Sequence, residues 1–345
     1  MKNPATAKYV YGIFWDEEAA ANNSGGEYDT AFLAGGYNNN TAYDISEAHA
    51  HQQPQHEFGR VGINGERVYA LHHNDLGAIV SSMSLQEAKR IRNSIDAGGD
   101  SKSNIDLILS HQRAVETARS LGLVVLPVRF GSILTHENVK KLLTQQYNGL
   151  KMKAFRFNGK DEYGIRLLLG EKTEEKVIRE NVEHMPDIQR LRADILSQKS
   201  SGRQGTAYFA SLRLNDMIKN KTLKDIDGLA ERIHQKVMSV AEATSALSKD
   251  TSQTIFNRAY LVKRSRVQDL NRVIDDINSN YSSKYDLVLH TSGPWAPYSF
   301  CADDPLLSSF TKSQLATTAD DPRRHHGGGS GRRSLKEKVG GSVAS

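Results

Sequence analysis

The sequence is poor in several features that would point to a defined chemistry. Cysteine occurs once in 345 residues, as Cys301. A single thiol excludes an intrachain disulfide, which suits a reducing cytoplasm, and without a nucleophile's signature around it Cys301 reads as a small apolar residue. Long apolar runs are missing too. The longest, at 123–128, is far short of the about 20 residues that cross a bilayer. Residues 1–8 lack a cationic segment followed by an apolar one, so no secretory leader and no membrane partner are expected. There is no phosphate loop of the GxxxxGK[ST] type, no HExxH helix and no GxSxG elbow. The glycines at 327–331 have no strand before them and are linker glycines. Charge of one sign is also absent from the body. The net +5 is accounted for by residues 322–345, where Arg323, Arg324, Arg332, Arg333, Lys336 and Lys338 face only Glu337. The remainder is neutral and carries no electrostatic footprint for nucleic acid.

What is present is a chain 38% apolar, long enough for two ordinary cores. A dense β-type run at 9–15 (YVYGIFW) predicts the first strand. Residues 21–58 are rich in Asn, Gly, Gln and His and read as a long mobile insertion. Asn64-Gly65 is a hairpin signal, and strands are expected at 66–71 and 76–81 around an Asn74-Asp75 turn. Ser84 and Glu87 form a capping-box pattern for a helix that stops at Gly98-Gly99. Leu107, Ile108, His111, Ala114, Val115, Ala118 and Leu121 recur at helical spacing, and Gly122 ends that helix. The run at 123–130 (LVVLPVRF) is a buried strand whose Pro127 calls for an edge or a bulge. A helix over 135–146, capped by Thr135, leads to Asn148-Gly149, taken as a turn and a domain boundary.

In the second half, Tyr163, Ile165, Leu167 and Leu169 alternate with polar residues as a half-buried strand. A largely helical stretch follows over 172–247, punctuated by Pro186, Ser200-Ser201-Gly202 and Gly228. Then come a strand at 254–263, a helix marked by Val267, Leu270, Ile274 and Ile277, and a strand at 285–290. The closing strand–helix–strand reads as a βαβ unit with a right-handed crossover. The fold class expected is therefore α+β in two domains: an N-terminal α+β domain over 1–149, and a ferredoxin-like domain with a helical insertion over 150–304. A disordered basic tail over 305–345 completes the chain.

Few side chains suggest a site. His49, His51 and His56, with His72-His73, lack the ligand set of a zinc centre, so no metal is expected. His325-His326 is a weaker pair still. His111, on an apolar helix face, reads as a hydrogen-bonded core or boundary histidine rather than a base. Arg129 within an apolar strand calls for an internal carboxylate or carbonyl, or else recognises a ligand. The segment 293–300 (GPWAPYSF) offers rigid aromatics, which serve either as an anchor for a partner or as a seal folded back on the core.

Taken together, YVYGI at 9–13, HQR at 111–113, VVLPVRFG at 124–131, EYGI at 162–165, AYLV at 259–262 and GPW with PYSF at 293–300 resemble the gas vesicle protein family GvpL/GvpF. These stretches occur in the family's order across most of residues 9–300. Ala296 stands where the family usually has a second proline, and the insertion and tail lie outside the shared pattern. The resemblance implies a two-domain α+β, non-enzymatic, cytoplasmic and gas-vesicle-associated protein without cofactor. It also implies that the protein binds the small apolar shell protein (GvpA-type) and other accessory proteins during nucleation and assembly, or joins the wall as a minor component. The partner-binding candidates are Leu126, Pro127, Arg129, Phe130, Trp295, Pro297, Tyr298 and Phe300. The Pro-interrupted strand would offer an edge for strand addition, and the aromatics an anchor. The alternative is a small-ligand-binding regulatory module built on the ferredoxin-like domain, with Arg129 or the βαβ crevice holding an anion.

Overall fold

The first strand, β1 (Thr6–Trp15), is buried from Ala7 onward and becomes the spine of a sheet. A computed structural model describes the chain at residues 6–23, 56–96, 102–249 and 251–310, all within one compact unit. After β1 come α1 (Glu17–Asn23), β2 (Glu57–Gly59), β3 (Val68–His73), β4 (Leu76–Ser84), α2 (Leu85–Asp96), α3 (Lys102–Ser120), β5 (Val124–Pro127), β6 (Ile133–Leu134), α4 (His136–Gln145) and α5 (Tyr147–Phe157). The strands form a mixed-length antiparallel sheet of order β2-β3-β4-β1-β5, with β6 pairing the start of β1. A register shift between Val10 and Gly12 reverses the alternation of β1. Tyr9 and Tyr11 therefore face one side, while Val10, Ile13 and Trp15 enter a core on the other. A bulge has this effect because one extra residue inverts a period of two.

That core is closed by Val139 and Leu143 of α4 and by Leu150, Ala154 and Phe157 of α5. The opposite face takes α2 and α3. Local signals hold well here. Ser84 Oγ accepts from Glu87 N–H at 3.1 Å, Thr135 Oγ1 accepts from Asn138 N–H at 3.2 Å, and Asn74 turns the β3–β4 hairpin at φ 55°. The Asn64-Gly65 signal belongs to a short 3-10 turn within the β2–β3 connection.

The second half contains β7 (Lys160–Leu169), α6 (Thr173–Val177) continued by a π turn at Ile178–Val182, α7 (Pro186–Ser200), α8 (Gln204–Met238), β8 (Ala243–Ala246), β9 (Thr254–Lys263), α9 (Val267–Ile277), α10 (Ser283–Tyr285), β10 (Leu287–Trp295), α11 (Tyr298–Cys301) and α12 (Pro305–Ser308). Its strands form a second antiparallel sheet of order β10-β7-β9-β8, so β7 lies between the two strands of the closing βαβ unit. Ile165, Leu167, Phe256, Tyr260 and Val262 pack under Ile226, Leu229, Ile233 and Val237 of α8 and Leu270 and Ile277 of α9.

Several expectations need correction. Asn148-Gly149 lies in the first turn of α5, and the chain crosses to the second sheet at Asn158-Gly159, where Gly159 has φ +68°. The apolar face of α3 is narrower than the periodicity suggests. His111, Ala114, Val115 and Ala118 are buried, but Ile108 and Leu121 are exposed, with no element among the described residues covering that side of the helix. The helical stretch ends in a strand, β8, and Gly228 does not interrupt α8. The last strand begins at Leu287 and runs through Gly293-Pro294-Trp295. The insertion does not extend to 58, since Phe58 is buried in β2. Nor does the tail begin at 305: Asp304 caps α12, and Leu307 and Phe310 are buried in the first core. The signals at Gly98-Gly99, most of the insertion, and the tail from 311 onward lie outside the described residues.

Candidate functional site

The stretches that carry the family resemblance, far apart in sequence, meet in one place, and His111 is its centre. The ring is 3% exposed. Tyr9, Tyr11, Phe130 and Tyr298 surround it, with ring centroids at 5.7, 5.5, 5.9 and 6.3 Å. The Tyr9 hydroxyl accepts from Gly131 N–H at 2.9 Å and lies 3.1 Å from His111 Nδ1. The hydroxyl and Nδ1 share one hydrogen bond, whose direction follows the ring tautomer. Burial pushes the His111 pKa down from 6.5 to about 4, against a weaker opposing pull from the Val128 carbonyl. Nε2 itself makes no hydrogen bond of good geometry. Burial likewise raises the phenols of Tyr9 and Tyr298. His111 is thus a core histidine, as its place on the helix predicts, and burial keeps it neutral. The Gly131 backbone, at φ +88°, permits the turn that brings Phe130 to the cluster.

A second layer ties the C-terminal segment down. Glu162, buried in β7, accepts from Ser299 N–H at 2.8 Å and from Ser299 Oγ at 2.7 Å. Burial raises its carboxyl, and these two donors partly offset that. Glu116 of α3 accepts from Ala296 N–H and pairs with Arg119 at 2.6 Å. Arg119 continues to the buried Asp161, which also binds Arg264 at 3.2 Å. The chain of charge thus runs from α3, packed on the first sheet, through β7 of the second sheet to the turn after β9. Charges this poorly hydrated are tolerable because each is paired. Gly293, at φ +118°, brings the backbone so close that an added Cβ would lie 2.8 Å from the Glu162 carbonyl. That contact gives a physical reason for the glycine of GPW.

The eight candidates divide by burial. Leu126, Pro127 and Pro297 are buried, while Phe130, Trp295, Tyr298 and Phe300 are half-buried and Arg129 is exposed. Tyr298 packs at His111, and Phe300 at Phe157 with centroids 6.4 Å apart, so the segment does fold back on the core. β5 is an edge strand, as Pro127 requires, but residues 125–128 are buried with α3, α5 and α11 packed against it. It presents no open edge for strand addition. Arg129 has no ion pair among the described residues and stands in solvent at the turn after β5, contrary to the internal pairing expected. Glu116, Arg119 and Asp161 were not singled out from the sequence, and Glu162 and Ser299 figured there only as members of the EYGI and PYSF stretches, with no role of their own.

The other candidates have ordinary roles. His56 lies 3.5 Å from Asp16 and packs tilted against His72, whose pKa is lowered by burial and by His56. Among the described residues no group of three or more His, Cys, Asp or Glu is placed to hold a metal. Cys301 is buried, and its thiol is pushed up by that burial, so the thiolate is suppressed. No helix among the described residues is long and apolar enough to cross a membrane.

Comparison with known proteins fits this arrangement. Gas vesicle protein L of a Streptomyces species (strain CB03234) is 25% identical over 253 residues, covering 70% of this chain and 86% of that protein. Gas vesicle protein F of the same strain is 24% identical over 260 residues, covering 75% and 97%. The crystal structure of gas vesicle protein GvpF from Anabaena sp. PCC7120 superposes with a TM-score of 0.57 at 17% identity, covering 87% of this chain and all of that one. GvpF from Microcystis aeruginosa gives 0.52 at 16% identity, covering 86% and 98%. These two show that the α+β fold is shared. The family model described as gas vesicle synthesis protein GvpL/GvpF matches residues 7–302, which takes in every motif that meets around His111 and Glu162, and the chain belongs to that family.

Proposed function

We propose that this chain is a non-enzymatic accessory protein of gas vesicle formation. It binds the small apolar shell protein (GvpA-type) and other accessory proteins during nucleation and assembly, or enters the wall as a minor component. The observation that carries this reading is the convergence of the family's stretches into a locked junction. Its rim leaves Arg129, Phe130, Trp295, Tyr298 and Phe300 at least partly accessible, while Leu126, Pro127 and Pro297 support them from beneath. Rigid aromatics beside an unpaired guanidinium have the composition of an interface anchor, because they lose little side-chain entropy on binding. The partner is held by side chains and not by strand addition at β5. A shell subunit with an uncovered apolar face aggregates unless such a surface shields it. We read the second sheet as the ferredoxin-like domain, supported by its order β10-β7-β9-β8 and by helical crossovers before β8 and before β10. The protein works in the cytoplasm, where the vesicle is built.

Coexpression with the shell protein tests this. The tagged chain should keep the shell protein soluble and copurify with it. The pair Arg129→Glu and Trp295→Ala should abolish copurification without lowering the melting temperature appreciably. Shell protein that precipitates equally with and without the chain would refute the proposal.

A further inference from the structure

We propose that the free end of the α7–α8 hairpin is a docking surface for an acidic amphipathic helix of a partner protein. The hairpin is longer than its core requires. α8 has 35 residues, about 52 Å at 1.5 Å per residue, yet its contacts with the second core begin at Leu214, and Leu214, Met217 and Ile218 are only partly buried. In the first half of α8 only Ala207 is fully buried, opposite α7, whose buried residues are Ile188 and Ile195. At this end four large apolar side chains stand in solvent: Leu196 is 67% exposed, Tyr208 62%, Phe209 71% and Leu212 45%.

Geometry places them together. Leu196 follows buried Ile195, and Tyr208 follows buried Ala207. In two antiparallel helices, a step of about 100° past the contact line leads to the same side of the pair. Leu196 and Tyr208 therefore share a face, and Leu212, one turn beyond Tyr208, extends it. The Tyr208 and Phe209 rings touch, with centroids 5.8 Å apart. An exposed apolar cluster of this kind marks an interaction site, whereas single exposed apolar residues do not. The groove between two helices with axes about 8–10 Å apart accepts the ridge of a third.

Charge selects the occupant. Lys199, Arg203 and Arg213 flank the cluster, and no Asp or Glu occurs between Ile195 and Asn215. None of the three has an ion pair among the described residues, whereas Arg192 and Lys221, nearer the base, are paired with Glu183 and Asp187. An acidic helix satisfies both features. A second copy of this tip would bring six unpaired cations together. A bilayer surface suits an amphipathic helix whose apolar face runs along its length, and this cluster covers little more than one turn of each helix.

The test uses the full chain and two labelled synthetic helices. Both carry leucines at i, i+3, i+4 and i+7; the remaining positions are mostly glutamate in one and lysine in the other. The glutamate peptide should bind, more weakly as salt rises, and the lysine peptide should not. Tyr208→Ser and Phe209→Ser should each weaken binding about 10-fold or more. Reversing the cations (Lys199→Glu, Arg203→Glu, Arg213→Glu) should transfer the preference to the lysine peptide. All five positions are exposed, and an unchanged far-UV circular dichroism spectrum and melting temperature verify folding. Equal binding of both peptides, or binding that the tip variants leave unmoved, overturns the proposal. So does sedimentation showing a dimer that Phe209→Ser dissolves, or binding to phosphatidylserine vesicles without binding to the glutamate peptide.

Discussion

Acidification should unload part of this protein's stability through His111. The ring is held neutral in the fold, with its pKa pushed from 6.5 down to about 4 by burial. In the unfolded chain it titrates near its ordinary value. Above about pH 6.5 both states carry a neutral ring, and its contribution to stability is fully present. Between about pH 6.5 and about pH 4 the unfolded chain takes up a proton that the folded chain refuses, and stability falls at up to about 1.4 kcal/mol per pH unit. Over that window the loss is about 3 kcal/mol. The assay is urea unfolding from about pH 7.5 to about pH 4, on the wild type and on His111→Gln. The glutamine keeps a polar partner for the Tyr9 hydroxyl but cannot titrate. His72, also depressed by burial, contributes equally to both proteins and cancels. The variant should be less stable at neutral pH, and the gap should narrow by about 3 kcal/mol on acidification. In proton NMR the His111 ring should not titrate between about pH 7.5 and about pH 5. Parallel stability profiles, or a His111 resonance that titrates near 6.5, would refute the buried, neutral assignment and the role of the Tyr9 hydroxyl with it.

Two further outcomes follow from the packing. Glu162→Ala should cost about 2–3 kcal/mol, because it strands the Ser299 amide and hydroxyl; Glu162→Gln, which keeps an acceptor and removes a buried charge, should cost under about 1 kcal/mol. Limited proteolysis should then cut the alanine variant within 293–300 and spare the glutamine variant, and equal costs would show that the clamp is not held by this carboxylate. Phe310→Ala should lose about 3–5 kcal/mol in urea unfolding, since the ring is fully buried in the first core; a change below about 1 kcal/mol would mean that the chain's folded part ends earlier.

Most of the secondary structure was legible because its causes are local. The strand at Thr254–Lys263 and the amphipathic helix at Val267–Ile277 match their patterns residue for residue. The caps at Ser84 and Thr135 work as their spacing says. The misreadings occurred where a neighbour decided. Ile108 has the helical spacing of a core residue, but no element among the described residues covers it. Asn148-Gly149 has the composition of a turn, but Leu150, Ala154 and Phe157 on the following turns are drawn into a core, and burial outweighs the weak helix propensity of one glycine.

The site shows the same division. By itself the sequence determined the family, the neutral body, the elements and the place of His111 on an apolar helix face, since composition, period and motif are written along the chain. Only the tertiary structure decided that YVYGI, HQR, VVLPVRFG, EYGI and PYSF close on one another, that Glu162 fastens Ser299, and that Arg129 faces solvent. Hydrogen bonds and desolvation act between groups near in space and far apart in sequence, so no local pattern records which distant partner a buried carboxylate or an unpaired arginine will meet.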